Sequence, residues 1–391
     1  MTSRARHLST ALITSAVLPT VCKDMIARFR ILLPFEISLR ANQDLPAEAF
    51  TVGEYAIRVS PPYQARVSSR DMLDPATTPY QIVLNLAPAE PPSIDPTTTI
   101  DGQATVLANA IQIDVQKPDF DRRFTLDDGS PNPGDPPVSL FFDALNSVLR
   151  RLRTRGRAVN IRTLNPDDAL WRLEFLDDNE ALLERSADKM RAKGGINLSG
   201  RISALWDGYW RDAIALPRDH QLRPWAELLL DAEALLPNTI PAVMLAAAAV
   251  ECLIGTCLTT LAPSDGQAGA LWEFLTNRES FFQEPSVADE ASTLLKALTG
   301  QSLKEQPELW TAFSELRQVR NNMMHTGVFA TGRNVKTPVT KEKAYSLVVG
   351  AKQIAEWIEQ LLPQKDRRPP VPAPVRVDYR RPVLRAEDVP E

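Results

Sequence analysis

Residues 307–327, "PELWTAFSELRQVRNNMMHTG", decide how the second half of this chain folds. Pro307 suits the first turn of a helix and Gly327 the turn out of one. Between them Leu309, Phe313, Leu316 and Met323 recur at helical spacing, which predicts one long helix with that stripe against a core. At about 100° per residue, Arg320 falls in the middle of the stripe. A guanidinium in that position needs a partner or a polar cleft, because an unpaired interior charge is strongly destabilising.

Working outward, "IPAVMLAAAAVECLIGTCLTTLA" (240–262) is about long enough to span a bilayer. Glu251 at its centre would cost about 2.5–3.5 kcal/mol there, and neither flank carries a basic cluster, so the segment reads as a buried core helix and no membrane partner is expected. It starts after a polar Asn238-Thr239 cap. Glu251 faces the same burial penalty as Arg320, and either the two meet or Arg320 emerges into a polar cleft. "PWAELLLDAEALL" (224–236), "GALWEFLTNRESFF" (269–282) and "SVADEASTLLKALTG" (286–300) add further helices. "VFATGRNVKTPVT" (328–340) reads as a loop. In "KEKAYSLVVGAKQIAEWIEQLL" (341–362), Ala344, Leu347, Ala351, Ile354, Ile358 and Leu361 lie at bundle spacing. Residues 222–362 are therefore expected to form an all-α four-helix bundle.

The first half reads differently. Residues 25–134 are β-rich, with candidate strands "RFRILL" (28–33), "YAIRVS" (55–60), "YQIVLNL" (80–86) and "AIQIDV" (110–115). Proline-laden connections such as "APAEPPSIDPTTTIDG" (87–102) exclude long helices, and "LDDGSPNPGDPP" (126–137) reads as a closing loop. Residues 135–221 form a mixed α/β connecting region. It holds a helix in "SLFFDALNSVLRRLRTRGR" (139–157), strands in "RAVNIRTL" (157–164) and "ALWRLEFLDD" (169–178), and a short exposed helix in "NEALLERSADKMRAKGG" (179–195). In the second strand Trp171, Leu173 and Phe175 alternate with Arg172 and Glu174, the pattern of a half-buried strand. The fold class expected is α+β, a β-rich N-terminal domain followed by the helical bundle. Residues 363–391, rich in proline and mixed charge, read as a disordered tail or an extended arm.

Bulk properties narrow the function. The 391 residues allow two or three domains, taking roughly 100–200 residues for each. A net charge of −5 gives no global basic field, so nucleic-acid binding would have to come from a local patch. Arg150, Arg151, Arg153, Arg155 and Arg157 are the best such patch, a candidate tether for an RNA backbone, although a charge run is more often a solvated face. Three cysteines make no disulfide framework, in keeping with a reducing, cytoplasmic setting. Three histidines, with no CxxC or HxxxH spacing, support no metal site. "AKGGINLSG" (192–200) lacks the GK[ST] element of a phosphate-binding loop, no G-x-S-x-G elbow is present, and no cofactor is suggested. The first 24 residues hold an apolar run diluted by Thr10, Thr14, Ser15 and Pro19, so they read as an extension, or as lying ahead of a true start at Met25, rather than a signal peptide.

Arg320-Asn321 followed by His325 near the end of a bundle helix resembles the HEPN superfamily, the higher eukaryote and prokaryote nucleotide-binding domains. The hallmark of that superfamily is R-x(4–6)-H, often with Asn, Asp or His after the Arg. The likeness covers about residues 222–362, including an Ala-rich helix that carries an acidic residue, here Glu251. It implies a metal-independent endoribonuclease with catalytic Arg320, His325 and Asn321, supported by Glu251. It also implies a homodimer with a composite site, an RNA substrate such as tRNA or mRNA, and a place in prokaryotic anti-phage defence, as a toxin or effector answering a phage-derived trigger. The residue types suit the chemistry: histidine transfers protons near neutral pH, and arginine offers a fixed fork of donors to a phosphate. His325 lies about 140° around the helix axis from Arg320, so in one straight helix the two do not converge. Either the helix unwinds at Thr326-Gly327 or two copies face each other. Plainer readings stand beside these: Arg320 and Glu251 as a structural ion pair, His325 as a cap on the last carbonyls, and the chain as a non-catalytic dimerisation and interaction protein with a sensing N-terminal domain.

Overall fold

The computed structural model describes residues 25–41, 43–65, 86–121, 134–166, 169–189, 203–204, 207–277, 285–332, 334–370 and 377–379. The readings of residues 1–24 as an extension, of "LDDGSPNPGDPP" as a closing loop and of "AKGGINLSG" lie wholly or largely outside these, as does most of the expected strand "YQIVLNL". The protein is α+β, with an antiparallel sheet in the N-terminal half and helices in the C-terminal half.

The sheet is organised by β1 (Met25–Arg40), which pairs antiparallel with β5 (Gln103–Lys117) on one side and β6 (Leu170–Leu176) on the other. Its register with β5 shifts between Leu32 and Ile37, around Pro34, which has no N–H to give the ladder. Beyond β5 lie β3 (Tyr55–Val59), itself paired with β2 (Glu48–Val52), and β4 (Ile94–Ile100). β7 (Leu182–Lys189) pairs with β6, and the two residues of β8 (Ser203–Ala204) run parallel to β1. The sheet therefore runs across residue 134, and the region expected to connect the halves is part of the first of them.

On one face of the sheet Ala27, Phe29, Ile31, Ile111, Ile113, Val115, Leu173 and Phe175 bury themselves under helix α1 (Val138–Gly156), with Trp210 and Ala213 of α2 (Asp207–Ile214) in the same core. Phe29 stacks on Phe141 with ring centroids 4.7 Å apart. The other face was expected to be solvated, at least along β6, and it is not. Every residue of β6 is buried, Arg172 and Glu174 included. Cross-strand pairing satisfies the charges on this face. The Arg28 Nε and Asp114 Oδ1 atoms are 2.9 Å apart, and Arg30 reaches Glu174 Oε2 at 2.9 Å and Gln112 Oε1 at 3.1 Å. Opposite charges placed across strands at fixed register make such a face tolerable inside a protein.

Three local expectations are corrected. "NEALLERSADKMRAKGG" does not begin as a helix but contains β7, because a hairpin turn returns it to β6. Asp177 Oδ1 accepts from the N–H groups of Asn179 and Ala181, and Glu180 adopts the left-handed region at φ 60°. Helix-favouring side chains here lose to the open edge of β6. "RAVNIRTL" is not a strand: Leu164 exchanges its backbone N–H and C=O with the Asn146 side chain, which takes the place of a ladder. The proline-rich connection before β5 is partly ordered as β4.

The helical half packs around α4 (Thr239–Leu261). Helices α3 (Pro224–Ala234), α7 (Pro307–Thr326) and α8 (Lys341–Glu359) lie against it, and α5 (Gly266–Thr276) follows it in the chain. Between α5 and α7, α6 starts at Val287–Asp289, widens into a π turn at Glu290–Leu294 and ends at Leu295–Thr299. α4 is long and apolar enough to cross a membrane, and 56% of its most apolar window is buried against its neighbours. Its alanines at 242, 246, 247 and 249 let the other helices approach closely. Gly350 does the same for α8, since a Cβ there would sit 2.9 Å from that of Ala312 on α7. The α3, α4, α7 and α8 segments were all expected. The loop 328–340 also holds a small hairpin, β9 (Ala330–Thr331) with β10 (Thr337–Pro338).

After α8 the chain is an extended arm rather than a frayed tail where it is described. Arg368 makes a bidentate pair with Glu359 and lies over the Trp225 ring, 4.6 Å from its centroid. β11 (Val377–Tyr379) then pairs with β4 at the far edge of the sheet.

Candidate active site

The end of α7 carries the residues singled out from the sequence. The helix stays regular through Thr326, and Gly327, at φ 67°, closes it by donating its N–H to Met323 O at 3.0 Å. Its buried face is Phe313, Leu316 and Val319. Val319 takes the core position that the wider spacing had given to Arg320. Arg320 is rotated to the rim, with 38% of its side chain exposed. There it meets Glu251 of α4, Nη2 to Oε2 at 3.4 Å, and its Nη1 donates to Asn321 Oδ1 at 3.2 Å. The expected meeting of the two charges occurs, at an accessible edge rather than in the interior.

His325 is exposed, two residues before the helix stops. Among the described residues its imidazole makes no hydrogen bond, and the cap on Met323 O comes from Gly327 instead. Because α7 does not unwind before Gly327, Arg320 and His325 leave the axis about 140° apart. One copy of the chain does not bring them to a common point.

The loop beside this helix end is fastened to it by residues that periodicity did not reveal. Asn322 Nδ2 donates to the carbonyls of Ala330 at 2.8 Å and Gly332 at 3.0 Å, and Gln318 Oε1 accepts from the Gly332 N–H at 3.0 Å. Thr326 Oγ1 donates to Asn322 O and accepts from Lys336 Nζ, both at 2.7 Å. The only sequence signal for this clamp was the polar run Asn321-Asn322 ahead of a glycine.

The continuous basic strip expected from the α1 arginines is absent. Arg151 is 0% exposed, donating to Glu48 and to the carbonyls of Ser147, Ala213 and Leu216. Arg153 is buried against Asp231. Arg155 donates to Asp212 O, and Arg157 pairs with Glu356 at 3.6 Å. Charges one and two residues apart on a helix point in several directions, and only Arg150 of the five is left without an ionic or hydrogen-bond partner among the described residues for its side chain. Compared with protein-family models, curated proteins and solved structures, the chain matches none.

Proposed function

We propose that the chain is a metal-independent endoribonuclease of the HEPN type, its site composed by two copies facing each other at the end of α7. The observation that carries this reading is Arg320, held by Glu251 and Asn321 yet more than a third open, on the same helix end as an exposed His325. In the reaction, the ribose 2′-oxygen bonds to the adjacent phosphorus and the bond from phosphorus to the 5′-oxygen breaks. One proton passes from the 2′-hydroxyl to solvent water and one is delivered to the departing 5′-oxygen, leaving a 2′,3′-cyclic phosphate and a 5′-hydroxyl. His325, exposed in the last helical turn, is the proton donor. Arg320 supports the charge that develops on the phosphate oxygens. Asn321 keeps the guanidinium oriented, and Glu251 anchors it. Prokaryotic defence against phage is the setting this chemistry fits, with the N-terminal half sensing a trigger.

The test is incubation of tRNA and total RNA with purified protein in EDTA, beside His325→Ala and Arg320→Ala, with viability scored on inducible expression. Cleavage that leaves cyclic phosphate ends and falls by about 10²–10⁴ in His325→Ala supports the reading. Equal cleavage in all three proteins, or no cleavage together with no loss of viability, refutes it. A second reading, a non-catalytic dimerisation and interaction protein, draws on one observation: Met324, Val328, Tyr345 and Val349 expose apolar surface on α7, α8 and the loop between them. It predicts self-association that survives both substitutions and no RNA cleavage.

A further inference from the structure

A pocket of about 270 Å3 opens where α1 meets the start of the helical half, and nothing in the ribonuclease reading uses it. Arg150 and Arg153 of α1 line it, with Arg162 and Thr163 from the loop that follows, and Gln221 and Glu227 from the approach to α3 and its first turn. Three guanidiniums thus face one carboxylate. Arg153 is already committed to Asp231, with Glu227 3.8 Å away. The side chains of Arg150 and Arg162 have no such partner among the described residues, and Arg150 Nε is enclosed with no hydrogen bond.

Two guanidiniums with no carboxylate of their own at the wall of one pocket repel each other unless something else supplies negative charge. The surroundings favour an anion in that role. His220, next in the chain to Gln221, has its pKa lowered by burial and then by Arg155 and Arg151, with Asp219 opposing, which marks a locally positive environment. Guanidinium forks match phosphate oxygens in pairs, and Thr163 and Gln221 can add neutral donors. The volume lies just under the usual range for small-molecule pockets, about 300–1,000 Å3, and among the described residues no aromatic side chain lines it to stack a base. The space suits a phosphoryl group with a small body and does not suit a row of backbone phosphates.

We propose that this pocket binds a phosphate-bearing small molecule, gripped by Arg150 and Arg162 with Arg153 behind them, at the seam between α1 and α3. The site is independent of the end of α7, and its occupation ties the loop after α1 to the entry of α3.

The full chain would be titrated with inorganic phosphate, ribose 5-phosphate and adenosine, each against sodium chloride of equal ionic strength, following thermal unfolding and heat of binding. Phosphate and ribose 5-phosphate are expected to raise the unfolding temperature where chloride and adenosine do not. Arg162→Gln and Arg150→Gln are each expected to weaken that binding about tenfold, the size of one lost charge-assisted contact. Arg162 is exposed, so its substitution leaves folding intact and decides the matter if the other variant is unstable. No shift at 10 mM phosphate or ribose 5-phosphate (about 10 mM being a weak-ligand ceiling), a shift that chloride reproduces, or equal affinity in wild type and Arg162→Gln would each overturn the proposal.

Discussion

Arg151 of α1 and Glu48 of β2 form an ion pair inside the protein, the arginine side chain 1% and the glutamate 10% exposed. A run of arginines that reads as surface charge is thereby turned into a bolt between helix and sheet. We predict that Arg151→Ala costs about 3–5 kcal/mol, because it strands a buried carboxylate. Arg155→Ala, which removes one long contact to a carbonyl, should cost under about 1 kcal/mol. Urea unfolding of both variants checks this, and similar losses would contradict the burial argument.

At the end of α7, Glu251→Gln is expected to cut RNA cleavage by about tenfold, by releasing Arg320, while changing stability by less than about 1 kcal/mol, since the pair is partly solvated. Steady-state kinetics and denaturant midpoints measured together separate the two effects. A large stability loss with unchanged turnover per folded molecule would make the pair structural only.

Gly332 has φ 86°, and a Cβ there would lie 2.1 Å from Val335 O. Gly332→Ala should therefore open the hairpin that Asn322 and Gln318 hold against the helix end, at a cost of about 1–3 kcal/mol. Limited proteolysis between residues 328 and 340 is the readout. Unchanged protection would show that the turn tolerates the side chain.

Acid should destabilise the fold through His220. Its folded pKa lies below the unfolded value of about 6.5, so the unfolded state binds the proton more readily, and stability falls as pH drops through that value. In His220→Asn the dependence of unfolding free energy on pH between about 5 and 7 should flatten. An unchanged slope would assign the acid sensitivity to other groups.

The helical half was the more legible part of the chain. Apolar residues three and four apart marked α4, α7 and α8, and Gly327 fixed where α7 ends. Arg320 shows how far that reading reaches. The spacing of Leu309, Phe313, Leu316 and Met323 put it on the core face, and a modest rotation about the axis, with Val319 buried in its stead, moved it to the rim. The sheet was less legible because its charged face is interior. Arg172 and Glu174 look like solvent-facing residues until β6 is in register with β1, where Glu174 meets Arg30, more than a hundred residues away in sequence. β7 was hidden for a related reason: Leu182–Lys189 favours a helix locally, and only the edge of β6 makes it a strand. The clamp from Asn322 and Gln318, and the pocket at Arg150 and Arg162, join residues from separate elements and leave no periodic trace.

β11 gives the molecule an order of events. Val377–Tyr379 completes an edge of a sheet whose first strand starts at Met25, so that edge waits uncovered while every intervening helix is translated. During synthesis the exposed backbone of β4 is open to capture by another nascent polypeptide, and the arm that Arg368 fastens to Trp225 and Glu359 is what delivers the missing strand to its own molecule.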